Sequence, residues 1–177
     1  MHKAGFVNII GNPNVGKSTL MNALVGKELS IITAKAQTTR HRILGIINGD
    51  DFQMVLSDTP GVIKPAYEMQ TSMMNFVKEA LVDADVLIYM VTTEESELKD
   101  EKLFERIKKS KAPLFILINK IDLSSQELVE KTVAHWQSVF PVAKVCPISA
   151  LTGFFIPELL NLLIELLPSS PPYFPKD

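Results

Sequence analysis

The residues with the clearest chemistry are Gly11-Asn12-Pro13-Asn14-Val15-Gly16-Lys17-Ser18, which read G-x-x-x-x-G-K-[ST]. That spacing suits a phosphate chain. Glycines let the backbone wrap closely enough for its N–H groups to point at phosphate oxygens. The helix that must follow adds the positive end of its dipole. The Lys17 ammonium reaches the β- and γ-phosphates, and the Ser18 hydroxyl is a ligand for Mg²⁺. Thr19, next in the chain, belongs to the same phosphate-binding set. By itself the motif specifies a nucleoside triphosphate and leaves the base open.

A second group addresses the base. Asn119-Lys120-Ile121-Asp122 follows the apolar run Leu114 to Ile118. Guanine presents two adjacent donors, N1–H and the 2-amino group, and one carboxylate, Asp122, can accept both. Adenine offers an acceptor at N1 and has no 2-amino group. The mismatch leaves buried polar groups unpaired, so an ATP reading conflicts with Asp122. Asn119 can hold the other edge of the base and tie loops together, and the aliphatic stem of Lys120 can lie on the ring face. Ser149-Ala150 completes the pocket, the small residue letting a backbone N–H approach guanine O6.

A third group can sense the terminal phosphate. Asp58-Thr59-Pro60-Gly61 ends a strand. Asp58 can hold the Mg²⁺ shell through water, and the Gly61 N–H can meet the γ-phosphate, so the segment reports whether that phosphate is present. The aperiodic stretch Ser30 to His41 contains Gln37-Thr38-Thr39-Arg40-His41. A threonine hydroxyl there can complete the Mg²⁺ coordination, with Thr39 the first choice and Thr38 the reserve. Lys35, Arg40 and Arg42 read equally as a solvated loop face.

The elements that must position these groups alternate. Strands are expected at Phe6 to Ile10, Arg42 to Asn48, Phe52 to Asp58, Asp85 to Val91, Leu114 to Asn119 and Val142 to Ile148. Helices are expected at Lys17 to Val25, Gln70 to Val82, Leu98 to Ser110, Gln126 to Phe140 and Ile156 to Leu167. Continuous apolar runs such as Val86 to Val91 indicate strands buried on both faces, as in a parallel sheet. Strand and helix in alternation imply an α/β three-layer fold. The turn at Gly49-Asp50 makes a hairpin that adds one antiparallel strand at an edge.

The 177 residues fit one domain able to bury a core without disulfides. A net charge of −2 argues against tight nucleic-acid binding by this chain alone. The single cysteine, Cys146, is expected in the core and excludes an intrachain disulfide, which suits a reducing cytoplasm. No apolar run approaches the roughly 20 residues of a membrane span, so the chain reads as soluble, with peripheral membrane contact left open. The last ten residues, Pro168 to Asp177, carry four prolines. Residues 169–177 therefore read as a semi-rigid linker after a domain at 1–168, leading to a further domain.

Taken in order, GNPNVGKS, QTTRH, DTPG, NKID and SA resemble the GTPase domain of the Era family of bacterial ribosome-assembly GTPases, in the Era/TrmE branch of P-loop GTPases. DTPG and Asn14 indicate the branch, and QTTRH after Lys35-Ala36 indicates the Era side of it. The similarity covers Phe6 to Pro168. It implies a P-loop fold with a mixed, mostly parallel six-stranded sheet. It also implies a C-terminal KH domain that binds small-subunit ribosomal RNA. No two of the eight glycines here have the G-x-x-G spacing of a KH loop. The resemblance further implies GTP and GDP as ligands and Lys17, Thr39 and Gly61 as the catalytic set. Mg²⁺ would be held by Ser18, Thr39 and Asp58, and a K⁺ ion beside the phosphates by Asn14. Val62 stands where Ras-like enzymes carry a water-orienting glutamine, which implies slow turnover. Two other readings remain: a tRNA-modification GTPase, and a GTP-dependent interaction module with negligible hydrolysis.

Overall fold

The structure is a computed structural model of the chain. It describes residues 1–11, 15–25, 29–30, 42–58, 84–94, 105, 107–108 and 110–175. Helices expected at Gln70 to Val82 and over most of Leu98 to Ser110 lie outside the described residues, although Glu105, Ile107 and Lys108 are helical.

Among the described residues, seven strands form one sheet in the order β2-β3-β4-β1-β5-β6-β7. They are β1 (Lys3–Gly11), β2 (Leu29–Ser30), β3 (Arg42–Asn48), β4 (Phe52–Asp58), β5 (Val86–Val91), β6 (Leu114–Ile118) and β7 (Lys144–Pro147). β1 and β4 to β7 run parallel, and β3 runs antiparallel to β4 through the expected hairpin. The six expected strands are all present. The seventh is the two-residue β2, which pairs antiparallel with the far side of β3 and takes over the edge. Two residues have no periodicity to read, so only pairing identifies this strand.

The runs buried on both faces divide by alternation, because successive side chains of a strand point to opposite faces. Val86, Ile88 and Met90 of β5 enter one core, with Phe115 and Leu117 of β6. Leu87, Tyr89 and Val91 enter the other, with Ile116 and Ile118. Helix α1 (Lys17–Val25) and the last helix α3 (Ile156–Leu166) cover the first face through Leu20, Met21, Leu24, Leu159 and Leu163. Helix α2 (Gln126–Val139) covers the second through Trp136, with Phe140 just past its end. The Ser125 hydroxyl accepts from Leu128 N and caps the start of α2. Trp136 and Tyr89 are fully buried and meet edge to face at 5.4 Å, and the exposed His135 lies edge-on to Trp136 at 5.2 Å. Cys146 is in the core, as expected, and burial pushes its thiol up against the smaller opposing influence of Lys144. Among the described residues no helix is long and apolar enough to cross a membrane.

The proline-rich tail does not leave the domain at once. Pro168 O accepts from Ala4 N at 3.1 Å, and Ser170 N donates to His2 O at 3.0 Å. Further on, Gln53 of β4 is fully buried and uses its whole carboxamide. Its Oε1 accepts from Tyr173 N (2.7 Å) and Phe174 N (3.0 Å). Its Nε2 donates to Phe174 O (2.9 Å) and Asn48 Oδ1 (3.0 Å). The tail's rings then pack outside the sheet, Tyr173 on Phe6 at 5.2 Å and Phe174 against Ile46 and Val55. Proline spacing cannot reveal this docking, since it depends on one buried amide over a hundred residues earlier. Gln53→Ala should lower unfolding stability by about 1–3 kcal/mol. It should also free the Tyr173 and Phe174 amides for fast hydrogen exchange, and protection unchanged at those two amides would overturn the assignment.

Candidate functional site

Parallel order brings the carboxyl ends of β1, β4, β5, β6 and β7 to one edge of the sheet, where ligands of open α/β sheets bind. The segment after β1 carries the phosphate-loop residues, β4 ends on Asp58, and β6 leads into Asn119 to Asp122. β7 leads into Ser149 and Ala150. Arg42, at the start of β3, pairs with Asp58 at this same edge.

Gly11, Val15, Gly16, Lys17, Ser18 and Thr19 are described, whereas Asn12, Pro13 and Asn14 lie outside the described residues. Gly16 has φ +97°, and a Cβ there would run into Asn119 Nδ2. Only glycine meets both demands, a left-handed backbone and contact with a neighbouring loop. A Cβ on Gly11 would come within 2.7 Å of Met90 O, so the end of β1 lies pressed against β5. Lys17 Nζ lies 3.4 Å from Gly11 O, so its ammonium is turned back toward the end of β1. Ser18 and Thr19 are exposed on the first turn of α1.

Asn119 is the tie between loops. It is 3% exposed; its Nδ2 donates to Val15 O at 2.9 Å and its Oδ1 accepts from Ala150 N at 3.0 Å. Its backbone N–H donates to Val91 O at 2.8 Å. One side chain thus joins the phosphate loop, the base-reading segment and the loop after β7. The Ala150 N–H, expected near guanine O6, is donated to Asn119 here, so a nucleotide would share it with that side chain.

Lys120 adopts a left-handed conformation, φ 64°, which turns the chain from β6 into the 3₁₀ turn Ile121–Leu123. Asp122 is exposed on that turn. Its Oδ1 accepts from the buried Ser149 hydroxyl at 2.8 Å, and Ser149 Oγ in turn accepts from Thr152 N at 3.2 Å. The carboxylate is therefore held at one oxygen and open to solvent, the arrangement a base reader needs. Sequence reasoning assigned Ser149 to the pocket wall; the structure shows it orienting Asp122.

Thr39, Thr59, Pro60, Gly61 and Val62 lie outside the described residues; the backbone of Asp58 is described. Asp58 pairs with Ile9, two residues before Gly11, so β4 ends beside the start of the phosphate loop. Ser18 and Asp58 offer hard oxygen donors suited to Mg²⁺, which takes one or two protein ligands and completes its shell with phosphate and water. Among the described residues no three His, Cys, Asp or Glu side chains converge on a metal cage.

Residues 6–120 match the family described as 50S ribosome-binding GTPase. The GTPase Era of Clostridium kluyveri is 40% identical over 178 residues, covering 100% of this chain and 61% of that protein. The GTPase Era of Clostridium novyi is 41% identical over 179 residues, covering 100% and 60%. Among solved structures, Era in complex with MgGDPNP and nucleotides 1506–1542 of 16S ribosomal RNA superposes with a TM-score of 0.84 at 38% identity, over 100% of this chain and 61% of that one. A variant of Aquifex aeolicus Era bound to GDP·AlF4⁻ gives 0.83 at 38% identity, over 99% and 60%. The chain thus spans about three fifths of the length of the curated relatives it matches.

Proposed function

The chain belongs to the 50S ribosome-binding GTPase family, and on that premise we propose that it binds GTP with Mg²⁺ and hydrolyses it slowly, as the switch domain of a protein acting in small-subunit ribosome assembly. The observation that carries the guanine-nucleotide reading is the pair of bonds from Asn119 to Val15 and Ala150. They join the phosphate loop to the segment bearing Asp122, so that base and phosphates are gripped by one connected unit. The family description names the large subunit. Relatives alike over the whole chain are Era proteins, one of them solved with a 16S rRNA fragment. Likeness over the whole of this chain favours the small subunit, and a ribosomal partner would be met in the cytoplasm. RNA contact would be made through a KH-type domain beyond the linker.

In this reading Gly11 to Thr19 receive the phosphates, with the Lys17 ammonium against the β- and γ-phosphates. Ser18, Thr39 and Asp58 hold Mg²⁺. Bound Mg²⁺ supplies positive charge that offsets the charge on the transferring phosphoryl group. Gly61 donates its N–H to the γ-phosphate. Water attacks the γ-phosphorus in line, the bond to the β–γ bridging oxygen breaks, and phosphate leaves. Thr39 and Gly61 then lose their contacts and their segments relax, which is the switch.

Val62 offers no side-chain group to orient the water, so part of the catalytic charge must come from elsewhere. Asn14, two residues before Gly16, has a side-chain oxygen suited to an alkali cation beside the phosphates, where charge stabilises the transition state. GTP turnover should therefore be faster in K⁺ than in Na⁺ at equal ionic strength, by roughly tenfold or more, and Asn14→Ala should remove the difference. Equal parent rates in both salts would discard the ion. No turnover in either would leave the chain an interaction module.

A further inference from the structure

Among the described residues, packing contributes little to the turn that carries Asp122. None of Ile121, Asp122 and Leu123 is buried, Leu123 is 79% exposed, and only Ile121 packs partly against the core beneath α2. The turn has no side-chain cap at its start, where Lys120 holds the left-handed conformation, a geometry that costs about 1–2 kcal/mol outside glycine. The main-chain bond tying the turn to the residue just past β7 is long, Ile121 N to Ile148 O at 3.3 Å. Among the described residues, two side-chain bonds reach the turn from neighbouring loops. Ser149 holds the carboxylate itself. At the far end of the turn, Ser124 Oγ lies 2.7 Å from Thr93 Oγ1, one hydroxyl donating to the other. Thr93 follows β5, the strand whose last residue, Val91, accepts from Asn119 N.

We propose that the Thr93–Ser124 hydroxyl pair is a positioning element for guanine selectivity, anchoring the Asp122 turn to the end of β5. The inference rests on Asp122 as base reader. Ser149 sets the rotation of the carboxylate, and the Thr93–Ser124 pair sets where the turn carrying it stands. Reading two donors at once needs both carboxylate oxygens in register with N1–H and the 2-amino group. A displaced turn keeps one bond more easily than two. Losing the pair therefore weakens guanine more than hypoxanthine, which lacks the 2-amino group.

The test compares GDP and IDP affinities for the parent, Thr93→Val, Thr93→Ser, Ser124→Ala and the double variant Thr93→Val/Ser124→Ala. The fully buried Trp136 reports by its fluorescence that each is folded. The GDP-over-IDP preference should fall about 3–10-fold in Thr93→Val and in Ser124→Ala. The double variant should fall no further, since either substitution removes the whole bond. Thr93→Ser, which keeps the hydroxyl, should retain the parent preference. A purely structural role would lower the melting temperature or weaken both nucleotides equally, leaving the preference unchanged, and that result overturns the proposal. Equal loss in Thr93→Ser and Thr93→Val also overturns it, because methyl packing would then be responsible. A parent that does not distinguish GDP from IDP would instead defeat the base-reader assignment, and the proposal with it.

Discussion

Lys17→Ala is expected to weaken GTP binding by at least ~10²-fold in a protein that remains folded. Lys17 stands on the first turn of α1, half-buried, with its Nζ 3.4 Å from Gly11 O. The ammonium is thus already directed toward Gly11, the first residue of the phosphate-binding sequence. A triphosphate brings several negative charges into a partly desolvated cradle, where a unit charge interacts far more strongly than in bulk water. Alanine keeps the helix and removes that charge. The loss should scale with phosphate number, greatest for GTP, smaller for GDP and absent for guanosine. Titration calorimetry with a non-hydrolysable GTP analogue, GDP and guanosine measures all three. Undiminished affinity for the triphosphate in a folded variant would remove the phosphate-loop assignment.

Asp122→Asn is expected to move preference from guanine to xanthine nucleotides, weakening GTP roughly 10²-fold or more. The direction follows from Ser149. Its hydroxyl donates to Asp122 Oδ1, and the oxygen of an asparagine at 122 can accept the same bond. The carboxamide is then oriented with its oxygen on the Ser149 side, where it can still accept N1–H, and its nitrogen against the 2-substituent of the base. An N–H group there faces the guanine 2-amino donor unfavourably and the xanthine 2-oxo acceptor favourably. Competition binding of GTP and XTP to parent and variant checks both arms. The switch should fail in Asp122→Asn/Ser149→Ala, where nothing sorts the two ends of the amide. A variant that still prefers GTP as strongly as the parent would exclude Asp122 as the base reader.

The site residues were legible because each carries its chemistry in a short window. Gly11 to Ser18 and Asn119 to Asp122 have fixed spacing, and their position after apolar runs places them at strand ends. The parallel sheet was legible for a related reason. A strand such as β5, covered on both faces, must be apolar at every position, and Val86 to Val91 is. Less could be read where a residue acts through a distant partner. Gln53 looks like an ordinary polar position on a hairpin strand, yet it holds the tail through Tyr173 and Phe174. Thr93 and Ser124 are unremarkable hydroxyls in two loops.

The linear sequence by itself determined which chemical groups this protein would offer a guanine nucleotide and the succession along the chain of the strands that carry them. Local spacing and hydrophobic periodicity are properties of neighbours along the chain. The tertiary structure alone decided how those groups are joined. Asn119 binds Val15 and Ala150, Gly16 must lack a side chain because Asn119 lies against it, and Ser149 orients Asp122. It also decided that the tail lies on the sheet. Each of these contacts spans many residues, and their partners are chosen by which strand ends the parallel order brings to one edge. A hydrogen bond requires its donor and acceptor about 3 Å apart, and nothing in a residue's immediate sequence neighbourhood states who stands at that distance.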